Sequence, residues 1–234
     1  MSRNVLLTND DGINALGINL LEKHLVGLGL NVFVIAPHLE RSCCGHGLSL
    51  GKEVFVREIH PNKYSCEGLP ADCVHLGIHK VFKHINIDYV ISGINHGGNL
   101  GQDIYYSGTV AGAREGSFFN IPSVALSLYE GDPNEDSFDH IYNLINLSFF
   151  NEVTQKFKRG TVVNINAPDS RLYKHARRFD AKLEFRHYAN SIIEGQNGGY
   201  IIDGKLSRLQ EMGDSSDSKI VENGNISISF IKVF

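Results

Sequence analysis

No apolar run in this 234-residue chain approaches the ~20 residues that a helix needs to cross a bilayer, so no membrane partner is expected. The opening MSRNVLLTNDDG enters a strand without the apolar stretch of a signal peptide, and the expected location is the cytoplasm. Long basic runs are also missing. The net charge is −4, and the one cluster, Arg177-Arg178 near Lys174 and His175, suits a solvated face as well as a phosphate contact. No duplex nucleic acid is therefore expected as a partner. The four cysteines, Cys43, Cys44, Cys66 and Cys73, contain no C-x-x-C, and the adjacent pair makes a poor disulfide framework. Reduced thiols are expected, with Cys73 buried. The sequence has no G-x-x-x-x-G-K-[ST], no G-x-G-x-x-G after its first strand and no G-x-S-x-G, which removes the main support for P-loop, dinucleotide-binding and serine-hydrolase readings.

What is present is a regular alternation. With 42% apolar and 21% charged residues, the chain can bury a full core as one large domain or one and a half. The apolar runs NVLLT (4–8) and NVFVIA (31–36) flank a stretch in which Ile18, Leu21, Leu25 and Leu28 recur at helical spacing, a β-α-β unit. DYVISG (88–93), PSVALS (122–127) and TVVNIN (161–166) follow as strands, with helix-like segments at 71–84, 109–118 and 137–150. Strands buried on both faces and alternating with helices imply an α/β fold, a mostly parallel sheet with helices on both faces. Residues 49–66 break the rhythm and read as an antiparallel hairpin around Gly51-Lys52. After Pro168 two strands flank Asn197-Gly198-Gly199, then SSDSKIVENG reads as a short capped helix and NISISFIKV as a last strand. The expected organisation is a core over 1–168 and a C-terminal extension over 169–234, too small to stand alone and packing on the core or on a neighbouring subunit.

In open parallel α/β sheets ligands bind just beyond the carboxyl ends of the strands. The loops there are NDDG (9–12), PHLERSCCGHG (37–47), GINHGGNLG (93–101) and QDIYYSGTVAGAREG (102–116). Asp10, Asp11, Ser42 and Asn95 bring hard oxygen donors to three of them. Such a set suits Mg²⁺, Mn²⁺ or Ca²⁺ rather than zinc. One aspartate could instead cap the following helix, and Ser42 and Asn95 could serve as loop and turn residues. His38, His46 and His96 lack zinc-site spacing. Ser107, Gly108 and Thr109 open a helix whose N–H groups and positive dipole end favour an anion such as phosphate, or they form a plain N-cap. The amide of Asn99 could reach the same anion, or the glycines beside it could serve only a tight bend.

These blocks together resemble the SurE survival protein family, metal-dependent 5′-nucleotidases. The resemblance is carried by LLTNDDGINALGI, APHLERS, GLPADCVHLGI, VISGINHGGNLGQDIYYSGTVAGAREG and IPSVALSL, in order over most of the chain. It implies divalent-metal ligands at Asp10, Asp11, Ser42 and Asn95, with one Mn²⁺ or Mg²⁺ per subunit, or Ca²⁺ in a crystal. It implies phosphate contacts at Asn99, Ser107, Gly108 and Thr109. It further implies a Rossmann-like core and a C-terminal part exchanged in homodimers or homotetramers. The chain departs from the family at Cys43, where glycine is usual after the serine. The expected activity is hydrolysis of nucleoside 5′-monophosphates, with Asp10 or Asp11 taking the proton of the attacking water. Only Arg41 and Arg114 lie within the four loops, so a cation would carry most of the charge compensation. The alternatives are a nucleotide-binding regulatory module with little turnover, and a haloacid-dehalogenase-type phosphatase. The second needs a D-x-D pair, which Asn9-Asp10-Asp11 does not supply.

Overall fold

The computed structural model describes residues 2–186, 188–206 and 213–233, with the backbone alone at 189–191 and 203–206. Within the expected C-terminal stretch, His187, residues 207–212 and Phe234 lie outside the described residues. The chain begins with β1 (Asn4–Thr8), α1 (Leu16–Gly27) and β2 (Asn31–Pro37), then β3 (Val56–His60), β4 (Lys63–Cys66) and α2 (Pro70–Leu76). It continues through β5 (Tyr89–His96), α3 (Gly108–Phe118), β6 (Ser123–Leu128), α4 (Asp139–Leu144), α5 (Leu147–Lys156) and β7 (Thr161–Ala167). Past Pro168 come β8 (Arg178–Asp180), β9 (Tyr188–Glu194), β10 (Tyr200–Leu206), α6 (Asp217–Glu222) and β11 (Ile226–Lys232).

Nine strands form one sheet in the order β3-β4-β2-β1-β5-β6-β7-β11-β8. The run from β4 to β7 is parallel, while β3 and β11 pair antiparallel with β4 and β7. Alternate residues explain the two-sided burial. Val5, Leu7, Val34, Ala36 and Ile91 join one apolar cluster with Leu21 and Leu25 of α1, Ile141 of α4 and Phe150 of α5. Leu6, Phe33, Ile35 and Val90 face the other way, onto Cys73 and Val74 of α2. Because side chains alternate across a strand, runs apolar at every position must be covered on both faces. From β1 the chain moves outward to β2 and then returns past β1 to β5, so the direction of winding reverses between β1 and β5. Such a switch point opens a crevice at the carboxyl ends of those two strands. No helix among the described residues is long and apolar enough to cross a membrane.

The excursion at 49–66 is a hairpin, but its turn lies at Pro61-Asn62 rather than at Gly51-Lys52, between β3 and β4. Proline fixes its own φ, and Asn62 takes a left-handed φ of 62°, which asparagine tolerates better than most residues. Residues around Gly51 are instead tethered to α2, where Asp72 accepts hydrogen bonds from the Ser49 N–H (2.9 Å) and hydroxyl (2.8 Å). The helix-like stretch 137–150 is likewise interrupted. Asn146 accepts from the N–H groups of Ser148 (3.0 Å) and Phe149 (3.1 Å), starting a new helix that runs on to Lys156. A short polar side chain that satisfies N–H groups locally competes with helix continuation. The turn at 195–199, the helix at 217–222 capped by Ser216, and the last strand follow the sequence pattern.

Asn146→Ala should lower the melting temperature by about 2–4 °C, the equivalent of roughly 1 kcal/mol for loss of an N-cap, measured by thermal denaturation.

Candidate active site

The aspartate pair sits at the carboxyl end of β1, beside the switch point. Buried Asn9 donates its side-chain N–H to the carbonyl of Gly12 at 2.8 Å, closing the turn that lets consecutive residues 10 and 11 leave strand geometry. Gly12 has φ of 100°, and a Cβ there would come within 3.2 Å of the Leu39 backbone, so the first loop packs directly on the second. Helix α1 is capped by Ala15 with no side-chain hydrogen bond. Neither aspartate serves as its cap.

Asp10 instead meets the start of α3. Gly108, Gly112 and Gly116 recur every fourth residue and present a bare helix face to the sheet. A Cβ on Gly112 would lie 2.9 Å from Thr8 and Ser92 side-chain atoms, one on Gly116 would lie 2.6 Å from Val90 and Ser123 atoms, and one on Gly108 would lie 2.7 Å from the Asp10 Cβ. The absence of side chains brings the helix axis close to β1 and β5 and delivers its N-terminus onto Asp10. There the Asp10 carboxylate accepts from the Thr109 hydroxyl and from the N–H groups of Thr109 and Gly108. The anion at the positive end of α3 in this structure is a side chain of the protein. Ser107 acts as N-cap, accepting from the Val110 N–H at 3.0 Å, which leaves its hydroxyl proton free to donate.

Burial raises the Asp10 carboxyl above its ordinary value, and the bonds from Thr109 and Gly108 only partly offset this. Asp11 is pushed up to about 6 by burial and then by the charge of Asp10. It accepts from the backbone N–H of His96 at 3.3 Å. Two carboxylates are thus held close together in a desolvated crevice with their negative charge incompletely compensated.

The other predicted donors stand on loops joined to the one that carries this pair. The Arg41 N–H donates to the Asp10 carbonyl at 2.7 Å, fixing the second loop against the first. The Ser42 hydroxyl donates to Glu40 at 2.6 Å, so its lone pairs are left available. Asn95 donates its amide to the Gly97 carbonyl at 2.6 Å, which leaves its side-chain oxygen as an acceptor. Asn99 spends one amide N–H on Ser127 at 2.8 Å and keeps a second. Its backbone is held from below by two buried asparagines of β7. Asn166 accepts from the Asn99 N–H at 2.7 Å, and Asn164 and Asn166 donate to its carbonyl at 2.9 and 3.1 Å.

Several of these supports are missing from the sequence reading. Glu115, buried in α3, bridges His46 of the second loop and His75 of α2, both at 2.9 Å. Burial pushes its carboxyl up, but the hydrogen bonds from the two histidines prevail, and the net shift is downward. Its position in a helix gave no cue, because both partners come from elsewhere in the chain. Asn164 and Asn166 did leave a signal: a polar residue at alternate positions in an otherwise apolar, doubly covered strand needs a buried partner. The four cysteines are all free, with Cys66 and Cys73 buried.

The donor set fits a hard divalent cation. Two carboxylates raised by burial, a serine hydroxyl and a side-chain amide would all offer such an ion oxygen. Among the described residues no group of three or more His, Cys, Asp or Glu side chains is assembled as a soft-metal site would require.

A doubly wound α/β sheet with buried carboxylates and a helix N-terminus at its switch point defines a class of crevice-binding α/β proteins. Residues 5–189 match the family model described as Survival protein SurE. The chain is 34% identical over 232 residues to the 5′-nucleotidase SurE of Vibrio parahaemolyticus, covering 98% of this chain and 88% of that protein. It is 39% identical over 168 residues to the 5′-nucleotidase SurE of Paramagnetospirillum magneticum, covering 72% and 65%. The crystal structure of the SurE protein from Aquifex aeolicus superposes with a TM-score of 0.82 at 31% identity, over 99% of this chain and 94% of that one. The chain belongs to the SurE family.

Cys43, which stands at the departure from the family pattern, is exposed and has φ of 56°. A non-glycine residue in this region costs about 1–2 kcal/mol, a cost that glycine avoids. Cys43→Gly should therefore stabilise the protein by about 1 kcal/mol after the entropy cost of glycine, raising the melting temperature by about 2–4 °C in a thermal scan.

Proposed function

We propose that this protein hydrolyses nucleoside 5′-monophosphates to nucleoside and phosphate with the help of one Mn²⁺ or Mg²⁺ per subunit. The observation that carries the reading is the meeting of Asp10, Asp11 and the N-terminus of α3 at the switch point, in a chain whose relatives are named 5′-nucleotidases. Asp10, Asp11, Ser42 and Asn95 are the residues that would hold the cation. When bound, it supplies Lewis-acid polarisation of a phosphoryl oxygen and lowers the pKa of water. The Ser107 hydroxyl proton and the remaining amide N–H of Asn99 are open to donate to phosphoryl oxygens, at the helix end where Gly108 and Thr109 already hold Asp10. Asp10 has its oxygens engaged by Thr109 and Gly108, whereas among the described residues Asp11 accepts only the long bond from His96. Asp11 is thus the freer carboxylate to take a proton from the attacking water.

Phosphate release from nucleoside monophosphates, assayed with Mn²⁺, Mg²⁺ or chelator, tests this. Asp10→Asn and Asp11→Asn should each lower turnover by on the order of 10²-fold or more. The same variants should lose the rise in melting temperature that Mn²⁺ gives the parent protein. Tight nucleotide binding with no metal-dependent phosphate release would overturn the enzyme reading in favour of a regulatory nucleotide-binding module. An aspartyl-phosphate trapped on the protein would overturn it in favour of covalent phosphatase chemistry.

The same reading includes assembly into a homodimer or homotetramer. β9 and β10 form a separate two-stranded ribbon whose Ile192, Tyr200 and Ile202 are 67%, 73% and 89% exposed. An isolated ribbon is marginal in water, and an apolar surface of this kind favours a protein contact. Light scattering after gel filtration should show an oligomer for the parent chain and a smaller species for Ile192→Asp combined with Ile202→Asp.

A further inference from the structure

The turn from Leu100 to Tyr106 joins Asn99 to Ser107, the two ends of the phosphate cradle, and it is held from outside by the C-terminal part of the chain. Gly101 donates its N–H to the buried carboxylate of Asp217, at the start of α6, at 2.7 Å. The Gln102 side chain accepts from the Arg186 N–H at 2.7 Å and donates to the Arg186 carbonyl. Asp103 occupies the centre. One of its carboxylate oxygens accepts both from the Arg186 guanidinium and from the Tyr188 hydroxyl, each at 2.6 Å. Its backbone carbonyl accepts from the N–H groups of Tyr106 and Ser107, each at 3.0 Å. Ser107 is in turn the N-cap of α3.

We propose that Asp103 is a positioning residue, and that through it Arg186 and Tyr188 at the root of the β9–β10 ribbon set the phosphate affinity of the α3 N-terminus. The proposal rests on the phosphate-site reading given above. Asp103 itself touches neither the aspartate pair nor any donor side chain of the cradle. Its side chain is clamped by two charge-assisted bonds, and its carbonyl carries that restraint to the first N–H groups before the helix. A displacement there would carry the Ser107 hydroxyl away from a phosphoryl oxygen. Bonds to a charged acceptor are stronger than neutral ones, so their loss should be felt at the cradle. A purely structural staple between ribbon and core would lower stability and leave substrate affinity alone. A positioning role changes affinity with little change in the chemical step.

The test compares wild type with Asp103→Asn, Arg186→Met, Arg186→Lys and Tyr188→Phe. In Asp103→Asn and Arg186→Met, KM for a nucleoside monophosphate and Ki for inorganic phosphate should both rise about five- to tenfold while kcat changes by less than about twofold. Mn²⁺ affinity by calorimetry should stay unchanged, and amide hydrogen exchange at Tyr106 and Ser107 should speed up. Arg186→Lys, which keeps the cation, should restore most of the affinity. Tyr188→Phe removes one bond only and should shift KM in the same direction by about twofold, which keeps the test available where Asp103→Asn does not fold. Unchanged KM and Ki in folded variants would overturn the proposal, whatever the exchange rates. So would equal loss of Mn²⁺ affinity or a fall confined to kcat. A wild-type protein that releases no phosphate would overturn the nucleotidase reading instead. The positioning proposal would then be decided by calorimetric binding of inorganic phosphate and by exchange at Tyr106 and Ser107.

Discussion

The site depends on how closely α3 approaches the sheet. A helix bearing ordinary side chains cannot bring its axis onto β1 and β5, because a Cβ at Gly108, Gly112 or Gly116 would overlap atoms of Asp10, Ser92 or Val90. Glycine costs helix stability, about 1 kcal/mol each in an interior position, and three on one face are a substantial sacrifice. What offsets it is burial, since nearly every residue from Gly108 to Ser117 is enclosed. The result is that the positive end of the helix meets a carboxylate that would otherwise be stranded in a crevice of low polarity.

The loops around that contact are braced from three directions. The second loop is joined to the first through Arg41 and Gly12, and to α3 and α2 through the buried Glu115 bridge between His46 and His75. The GGN loop rests on Asn164 and Asn166, and the turn after it is tied to the C-terminal segment through Asp217, Gln102 and Asp103. Site groups held by supporting hydrogen bonds lose less freedom on binding, and so can discriminate charge and geometry more sharply. Among the bracing side chains Glu115, Asn164, Asn166 and Asp217 are buried, the kind of group that is costly unless fully paired.

Much of the fold was legible in the chain. Apolar runs of strand length alternating with helical periodicity dictate a covered parallel sheet, and NVLLT, NVFVIA and TVVNIN each became a strand as read. Errors fell where one local signal competed with another. Gly51-Lys52 looks like a hairpin turn, yet Pro61-Asn62 combines a fixed φ with a tolerated left-handed residue and takes the turn. The apolar periodicity over 137–150 reads through Asn146, whose side chain satisfies two N–H groups and restarts the helix.

By itself the sequence determined which loops would carry the polar groups, because strands fix where loops begin, and it put oxygen-bearing side chains in them. It also marked Cys43 as unusual, although the left-handed backbone that makes it so is visible only in the folded chain. Tertiary structure decided which role each donor takes. Asp10 accepts from the first turn of a helix nearly a hundred residues away rather than capping the one that follows it, and Glu115 draws histidines from two other elements. These partnerships join positions far apart in sequence. No local pattern records them, because they form only when the winding of the sheet reverses between β1 and β5 and brings the loops together at one end.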